Sequence, residues 1–236
     1  MKIAIISDIH GNLYALLKAL EDINEQNIDK IICLGDLTGY GPHPNEVIAL
    51  IKRRNSEGKL QCIKGNYDAS VVDGDYTFIR NTTINSFALP WAVKEVRISN
   101  KYYLDSLPLS ITENINGVNF MFTHGSPNKI NEYLFEDAEN TANIMASFEN
   151  DVLVCGHTHI PFAKKFGNKT LINAGSIGKP KIGRPNLTYT IINISDSGEL
   201  DISFREIEYE YKRVMKDCSI LEFPNAIIDS YRTGQE

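Results

Sequence analysis

Side chains that bind metal ions stand in five short segments of this chain, each beside an apolar run of strand length. The segments are Asp8-Ile9-His10, Gly35-Asp36, Gly65-Asn66-Tyr67-Asp68, His124-Gly125 and Gly156-His157-Thr158-His159. Carboxylate, imidazole and amide groups in this mixture suit a pair of borderline divalent cations such as manganese, iron or zinc. Two such ions about 3.5 to 4 Å apart can hold and ionise a water molecule, and the resulting bridging hydroxide can attack phosphorus. The predicted chemistry is therefore two-metal hydrolysis of a phosphate ester.

Each motif is weak when it is taken alone, because an isolated histidine is more often a structural residue than a metal ligand. The chain, however, has only 5 histidines, and four of them follow apolar runs in glycine-containing turns. These four are His10, His124, His157 and His159. Their joint placement favours the metal site over the structural alternative.

The spacing also indicates how the ligands are arranged. Gly35 precedes Asp36 and permits a tight turn, which we expect to turn both carboxylate oxygens of Asp36 toward the site as a bridge. Asn66 offers a neutral oxygen that limits the negative charge around the metals. His157 and His159 are two residues apart, so on an extended segment they would point to the same side and reach different metals.

The elements that position these residues follow an alternating pattern. Residues 2–7, 30–34 and 60–64 are apolar runs of strand length, and helical spacing of leucines follows the first of them. A second helix begins near Pro44 and covers residues 44–52. Strands that alternate with helices indicate an α/β fold with parallel pairing, in which ligands bind beyond the carboxyl ends of the strands.

The remaining chain predicts a helical excursion and then more sheet. Residues 69–108 read as a mostly helical, cap-like insertion over the site within a single domain of residues 1–236. Asn116-Gly117 separates two alternating segments as a hairpin turn would. Further predicted elements are the strands 110–115, 118–123, 151–155, 163–165, 170–172, 187–194 and 201–207, a helix over 137–148, and a helical tail over 209–231 that is interrupted at Pro224.

Composition limits the classes of function. The net charge of -6 lacks the broad basic surface of a protein that binds extended nucleic acid. The 4 cysteines have no paired short spacing and read as reduced residues, three of them in the core, rather than as a disulfide framework. No charged leader with an apolar core and no run of roughly 20 apolar residues is present, which predicts a cytoplasmic protein away from the membrane. The sequence leaves the oligomeric state open, and a homo-oligomer is one of the possibilities.

The order Asp-x-His, Gly-Asp, Gly-Asn-x-Asp, His and Gly-His-x-His, over residues 1–183, resembles the calcineurin-like metallophosphoesterase superfamily. The resemblance implies a four-layer αββα sandwich with a binuclear metal site. It also assigns the ligands: Asp8, His10 and His159 to the first metal, Asn66, His124 and His157 to the second, and Asp36 as the bridge. The segments 34–42 and 173–176 are similar to the small prokaryotic phosphodiesterase branch, in which some relatives hydrolyse dinucleoside polyphosphates such as diadenosine tetraphosphate.

Two positions depart from the family pattern. Most of the superfamily has a histidine, thought to assist the leaving group, where this chain has Tyr67. A tyrosine can donate a hydrogen bond to a phosphate oxygen but is a poor proton shuttle at neutral pH, so we expect a preference for leaving groups that need little protonation. The alternative is that Tyr67 only packs under the excursion. Tyr40-Gly41 stands where protein serine/threonine phosphatases of the superfamily have arginine-glycine, which makes a phosphoprotein phosphatase less favoured.

Catalytic roles are predicted for Asp36 and Tyr67, and substrate contacts for Asn12, Tyr67 and Ser176. Asn12 has an equal alternative as a helix cap, and His43 is a weaker candidate for the acid. The favoured function is hydrolysis of phosphodiester or pyrophosphate bonds in a nucleotide-type small molecule. A phosphomonoesterase acting on metabolites or proteins, and a non-catalytic metal-binding scaffold of the same fold, are the open alternatives.

Overall fold

The computed structural model describes residues 1–235, which form two five-stranded sheets with flanking helices. The first sheet contains β1 (Lys2–Ile6), β2 (Lys30–Cys33), β3 (Leu60–Cys62), β9 (Leu187–Ile194) and β10 (Leu200–Ile207), in the order β10-β9-β1-β2-β3. The second contains β4 (Ser110–Ile115), β5 (Val118–Thr123), β6 (Val152–Cys155), β7 (Phe162–Phe166) and β8 (Lys169–Asn173), in the order β4-β5-β6-β8-β7. The described helices are α1 (Leu13–Glu25), α2 (Pro44–Ser56), α3 (Asn66–Asp73), α4 (Asn85–Glu95), α5 (Ile98–Ser106), α6 (Glu139–Ser147), α7 (Tyr211–Ile220) and α8 (Asn225–Thr233).

Strand pairing agrees with the alternation in the sequence. β1, β2 and β3 are parallel, and β9 runs antiparallel beside β1. In the second sheet β5, β6 and β8 are parallel, whereas β4 and β7 are antiparallel at the edges. The parallel strands of each sheet therefore end at one edge, which is where ligands bind in sheets of this kind.

The layers follow from which side chains alternate along the strands. Ile3 and Ile5 of β1 pack with Phe120 and Phe122 of β5 in a core between the two sheets. Ala4 and Ile6 point the other way, into a core shared with the helices on the outer face of the first sheet. A third cluster packs α6 on the outer face of the second sheet. The four-layer αββα sandwich that the family resemblance implies is confirmed.

The helical excursion is also present, with a difference in its placement. Leu89 of α4 and Leu104 of α5 are buried in the same core as α1 and α2, so these helices extend the main helical layer. Residues 74–84 have no regular helix or strand and form a loop between α3 and α4. The hairpin at Asn116-Gly117 and the interrupted helical tail are confirmed. Each helix within residues 1–235 is too short or too polar to cross a membrane.

Candidate metal centre

Five of the candidate ligands have an unusual backbone conformation just beyond the ends of their strands. Asp8, His10, Asp36, His157 and His159 all have positive φ angles, between 47° and 66°. This left-handed region costs free energy for residues other than glycine and clusters at functional sites. The sharp turns bring side chains from the ends of β1, β2 and β6 into one buried cluster.

The first group of ligands joins β1 to the segment after β6. The Oδ1 atom of Asp8 lies 3.2 Å from Nε2 of His159 and 3.7 Å from Nε2 of His10. The two Nε2 atoms are 3.2 Å apart. Burial disfavours the charge of Asp8, but the surrounding histidines, His159 foremost, hold its pKa well below the usual value. The three side chains predicted to bind the first metal thus converge.

The second group joins the loops after β2, β3, β5 and β6. Nε2 of His124 lies 2.8 Å from Oδ1 of Asn66, 3.2 Å from Nδ1 of His157 and 3.3 Å from Oδ2 of Asp36. Burial opposes the charged form of His124, yet the adjacent Asp36 carboxylate raises its pKa to about 10. The predicted ligands of the second metal therefore also meet.

Asp36 lies between the two groups and approaches both of them with the same carboxylate oxygen. Its Oδ2 atom is 3.3 Å from Nε2 of His124 and 3.7 Å from Nε2 of His10. Its Oδ1 atom instead accepts a hydrogen bond of 2.8 Å from the backbone N–H of Tyr67. The expectation that both carboxylate oxygens face the site was wrong, because one of them anchors the start of α3. The geometry leaves Oδ2 as the shared atom.

Backbone carbonyls fix the ring orientation of three histidines. Nδ1 of His10 donates to the carbonyl of Thr38 at 2.8 Å, Nδ1 of His124 to that of Leu34 at 2.8 Å, and Nδ1 of His159 to that of Lys179 at 2.5 Å. A carbonyl can only accept, so each Nδ1 carries the proton and each Nε2 faces the cluster. Such partners are typical of metal-ligating histidines.

The donor set fits divalent cations. Burial is the largest influence on the pKa of His10 and of His159 and lowers both, which favours the neutral form of each ring. Their Nε2 lone pairs then face each other at 3.2 Å, an arrangement that is repulsive unless a cation lies between them. Two nitrogen ligands that each lie about 2.1 Å from one ion are separated from each other by a distance close to this 3.2 Å. Three-residue groups able to hold an ion occur on both sides of the cluster: Asp8, His10 and His159, and Asp36, His124 and His157.

Two glycines allow the loops of Asp36 and Asn66 to approach each other. A Cβ atom on Gly35, whose φ is +88°, would lie 2.3 Å from the nitrogen of Gly65. A Cβ atom on Gly65 would lie 2.1 Å from Oδ1 of Asp36. Asp68 braces the same approach by accepting hydrogen bonds from the N–H groups of Gly65 and Thr38, each 3.1 Å long. Asp68 therefore holds together the two loops that carry Asp36 and Asn66.

His157 and His159 reach different groups for a reason that the sequence analysis missed. They lie in a turn, not on an extended strand, and both have left-handed φ angles of 66° and 63°. His157 presents Nδ1 to the second group, whereas His159 presents Nε2 to the first. The expected division between two metals is therefore present, but it is produced by a turn.

The hydroxyl of Tyr67 is engaged within the protein. It donates to Oδ1 of Asn85 at 2.5 Å and is hydrogen-bonded to the hydroxyl of Tyr40. Burial first, and then Tyr40, raises the pKa of Tyr67 well above its usual value. This differs from the expected contact with substrate, because the hydroxyl proton holds Asn85 at the end of the 74–84 loop. His43, the weaker candidate, pairs instead with Asp217 at 2.9 Å.

Asn12 and Ser176 are fully buried and bonded to the protein rather than open to substrate. Oδ1 of Asn12 accepts from the N–H of Ala15 at 3.1 Å and caps α1, which is the alternative role predicted for it. Oγ of Ser176 donates to the carbonyl of Asp8 at 2.8 Å. Both side chains therefore position the segment that carries the first group of ligands.

Lys179 is buried, whereas a lysine in a polar loop of this kind is expected to be solvated. It is only 1% exposed, and its Nζ atom lies 4.7 Å from the centre of the Tyr40 ring. That ring in turn contacts the ring of His10 with a centroid distance of 4.7 Å. Lysine in a glycine- and proline-rich loop is usually solvated, so the sequence carries no signal for this burial. The structure places a cationic side chain close to the first group of ligands.

Replacing Lys179 with methionine is expected to weaken competitive inhibition by inorganic phosphate about tenfold. The variant removes a positive charge near the site but keeps the backbone carbonyl that orients His159. Because a buried charge is costly to desolvate, we expect the free energy of unfolding to stay the same or rise by about 1 kcal/mol. Steady-state inhibition and denaturant unfolding measure the two effects. Lys181→Met removes a less buried charge from the same loop, and equal effects of the two variants would contradict this role for Lys179.

Comparisons with known proteins agree with this arrangement. Residues 1–197 match the calcineurin-like phosphoesterase superfamily domain. An uncharacterized protein of Methanocaldococcus jannaschii is 37% identical over 231 residues, with 89% of each chain covered. Phosphodiesterase YfcE of Escherichia coli is 28% identical over 191 residues, covering 78% of this chain and 84% of its own.

A solved structure of a metallophosphoesterase shares this fold. The crystal structure of a metallophosphoesterase from Sphaerobacter thermophilus superposes with a TM-score of 0.82 at 26% identity, covering 99% of both chains. The match of sequence and fold extends over the segments that carry all seven candidate ligands. This chain therefore belongs to the calcineurin-like phosphoesterase superfamily.

Proposed function

We propose that this protein is a binuclear metal-dependent phosphoesterase that hydrolyses phosphodiester or pyrophosphate bonds of a nucleotide-type small molecule. The observation that carries the proposal is the position of Asp36 Oδ2, within 3.7 Å of a histidine from each ligand group. A carboxylate oxygen shared in this way suits two adjacent cations better than one. The phosphodiesterase name of the Escherichia coli relative supports this class of bond.

The residues of the chain have distinct roles in this proposal. Asp8, His10 and His159 would hold one cation, Asn66, His124 and His157 the other, and Asp36 both. When bound, two such ions, whether manganese, iron or zinc, polarise a phosphoryl group and lower the pKa of water. The carbonyls of Thr38, Leu34 and Lys179 keep the imidazole rings aligned for this purpose.

The proposal is tested by stripping the protein with a chelator and restoring single metals. We expect elemental analysis to give two ions per chain and turnover to return with the metal. Rates on bis-nitrophenyl phosphate, nitrophenyl phosphate and diadenosine tetraphosphate then separate the classes of function. Faster turnover of the monoester would favour a phosphomonoesterase, and metal binding without turnover of any of the three would favour a scaffold.

The state of Tyr67 predicts the leaving-group preference. A hydroxyl with a raised pKa that donates to Asn85 is not a proton donor to a departing alkoxide. We expect activated diesters to turn over at least about 100-fold faster than simple alkyl monoesters, since general acid catalysis is typically worth 10²–10⁴-fold. Initial rates across a series of leaving groups measure the dependence. Equal rates for the two kinds of substrate would contradict the prediction.

Tyr67→Phe is expected to affect stability more than chemistry. It leaves the buried Oδ1 of Asn85 without the donor it has now, at a cost of about 1–3 kcal/mol. The rate on activated diesters should fall less than about threefold, because the backbone N–H that holds Asp36 is retained. A loss of two orders of magnitude with the fold intact would instead assign a catalytic role to the hydroxyl.

A further inference from the structure

A cavity of about 470 Å³ lies beside the second group of ligands, between the 74–84 loop and the loop that follows His124. Its floor includes Ala69, which stands one helical turn after Asn66 on α3. Its volume is within the range of about 300–1,000 Å³ that is usual for small-molecule sites.

One wall of the cavity is fixed by a metal-ligand candidate. The side-chain Nδ2 of Asn66 donates to the backbone carbonyl of Phe78 at 3.1 Å. Two residues further on, the carbonyl of Arg80 accepts from Nδ2 of Asn85 at 2.7 Å, and Asn85 is held by the hydroxyl of Tyr67. The wall that carries the Phe78 ring is thus anchored at two points, and a preformed wall lowers the entropic cost of binding.

The opposite wall begins directly after another candidate ligand. A Cβ atom on Gly125, the neighbour of His124, would lie 2.5 Å from the carbonyl of Ile130, so this loop is packed tightly on the ligand segment. Within the loop, the backbone N–H of Ser126 donates to the carbonyl of Lys129 at 3.0 Å. Both walls are therefore attached to residues of the second ligand group, Asn66 and His124, whose ligand atoms are 2.8 Å apart.

The lining has a specific chemical character. Phe78 and Leu109 stay 37% and 62% exposed, respectively, and with Ala69 and Ile130 they provide apolar faces. Asn128 and Asn131 add amide groups and Lys129 a cation. Among the described residues that line the cavity, none is a carboxylate. Apolar faces with amide groups at the edge suit a planar ring that carries its own hydrogen-bonding groups. Because no carboxylate of the described chain lines the cavity, a phosphate attached to such a ring would not be repelled.

We propose that this cavity is the subsite for the nucleobase of the substrate, with the Phe78 ring as a stacking surface and the two asparagines at the edge of the base. The inference rests on the proposed function for the position of the phosphate, which lies at the metal cluster. It adds that recognition is by the base and that selectivity for nucleotides over inorganic phosphates originates here.

The test compares the binding of adenosine monophosphate, phenyl phosphate and inorganic phosphate to the manganese-loaded protein by calorimetry. The wild type is expected to bind adenosine monophosphate at least about tenfold more tightly than either of the others. Ala69→Phe, which fills the floor, and Phe78→Ala, which removes the stacking ring, are each expected to abolish most of this difference while leaving the affinity for inorganic phosphate within twofold. Ala142→Phe places the same bulk on an exposed position of α6 and is expected to change nothing.

Several outcomes would overturn the inference. These are equal affinity of the wild type for adenosine monophosphate and inorganic phosphate, equal affinity for phenyl phosphate and the nucleotide, or parallel weakening of all ligands in both variants. Because binding is measured directly, the result does not depend on turnover. A protein that hydrolyses none of the substrates but keeps the nucleotide preference would overturn the proposed activity alone.

Discussion

Replacing Asp36 with asparagine is expected to lower the turnover number by about three orders of magnitude, equal to roughly 4 kcal/mol in the activation free energy. An asparagine at position 36 can adopt two amide orientations, and each of them loses one interaction of the carboxylate. If its oxygen keeps the hydrogen bond to the N–H of Tyr67, its NH₂ group faces His10 and His124, where the shared carboxylate oxygen is now. If it turns around, the anchor at Tyr67 is lost. In both orientations the bridging charge is gone.

The fold of Asp36→Asn should remain intact, because the side chain keeps its size and a buried carboxylate is removed. Initial rates at saturating manganese, elemental analysis and thermal unfolding measure the three properties. Asp22→Asn is the matched control: it removes a carboxylate from α1 that pairs with Arg205 and has no contact with the ligand groups. A fully metallated Asp36→Asn protein with a near-normal rate would refute the bridging role.

The second large effect is expected for Gly178→Ala. A Cβ atom on Gly178 would lie 1.7 Å from the carbonyl oxygen of Ile9, within the turn that carries Asp8 and His10. The backbone N–H of Gly178 donates to the carbonyl of Asp8 at 2.9 Å, and its carbonyl accepts from Nδ2 of Asn12 at 3.0 Å. The added methyl group must therefore separate two closely bonded backbone segments. We expect a loss of about 3 kcal/mol or more in the free energy of unfolding.

The same variant should release the first metal before the second, since the displaced loop contains the Lys179 carbonyl that orients His159. Denaturant unfolding and elemental analysis at rising chelator concentrations measure both changes. Gly167→Ala is the control, because Gly167 has a φ of +63° but open space around its Cβ position, and should cost only about 1–2 kcal/mol. If the two variants were equally stable and equally metallated, the close packing at Gly178 would not matter to the site.

Sequence patterns located the strands and the candidate metal ligands, and the family resemblance supplied the αββα arrangement of the layers. Apolar runs locate β1, β2 and β3, and the residues just beyond them are the ones that the structure brings together. This works because parallel strands end at one edge, so their positions in the chain translate into proximity. The family resemblance then supplied the division of the ligands between two metals, and both groups are present in the structure.

Side-chain direction could not be predicted in the same way. Asp36 faces the cluster with one oxygen because the N–H of Tyr67 takes the other, and that bond joins residues that are 31 positions apart. Ser176 and Asn12 read as phosphate contacts from their loop positions, yet long-range bonds to Asp8 and Gly178 keep both inside the protein. Such contacts depend on how separate loops dock, which no local pattern records.

Five candidate ligands hold left-handed backbone angles that glycine would adopt without strain, at a cost on the order of 1 kcal/mol for each residue. Mutation to glycine at these positions would therefore relieve backbone strain while it removes the candidate ligands. At these five positions the backbone conformation and the identity of the side chain therefore place opposite demands on the chain, and the side chains that could bind metal are present at the expense of stability.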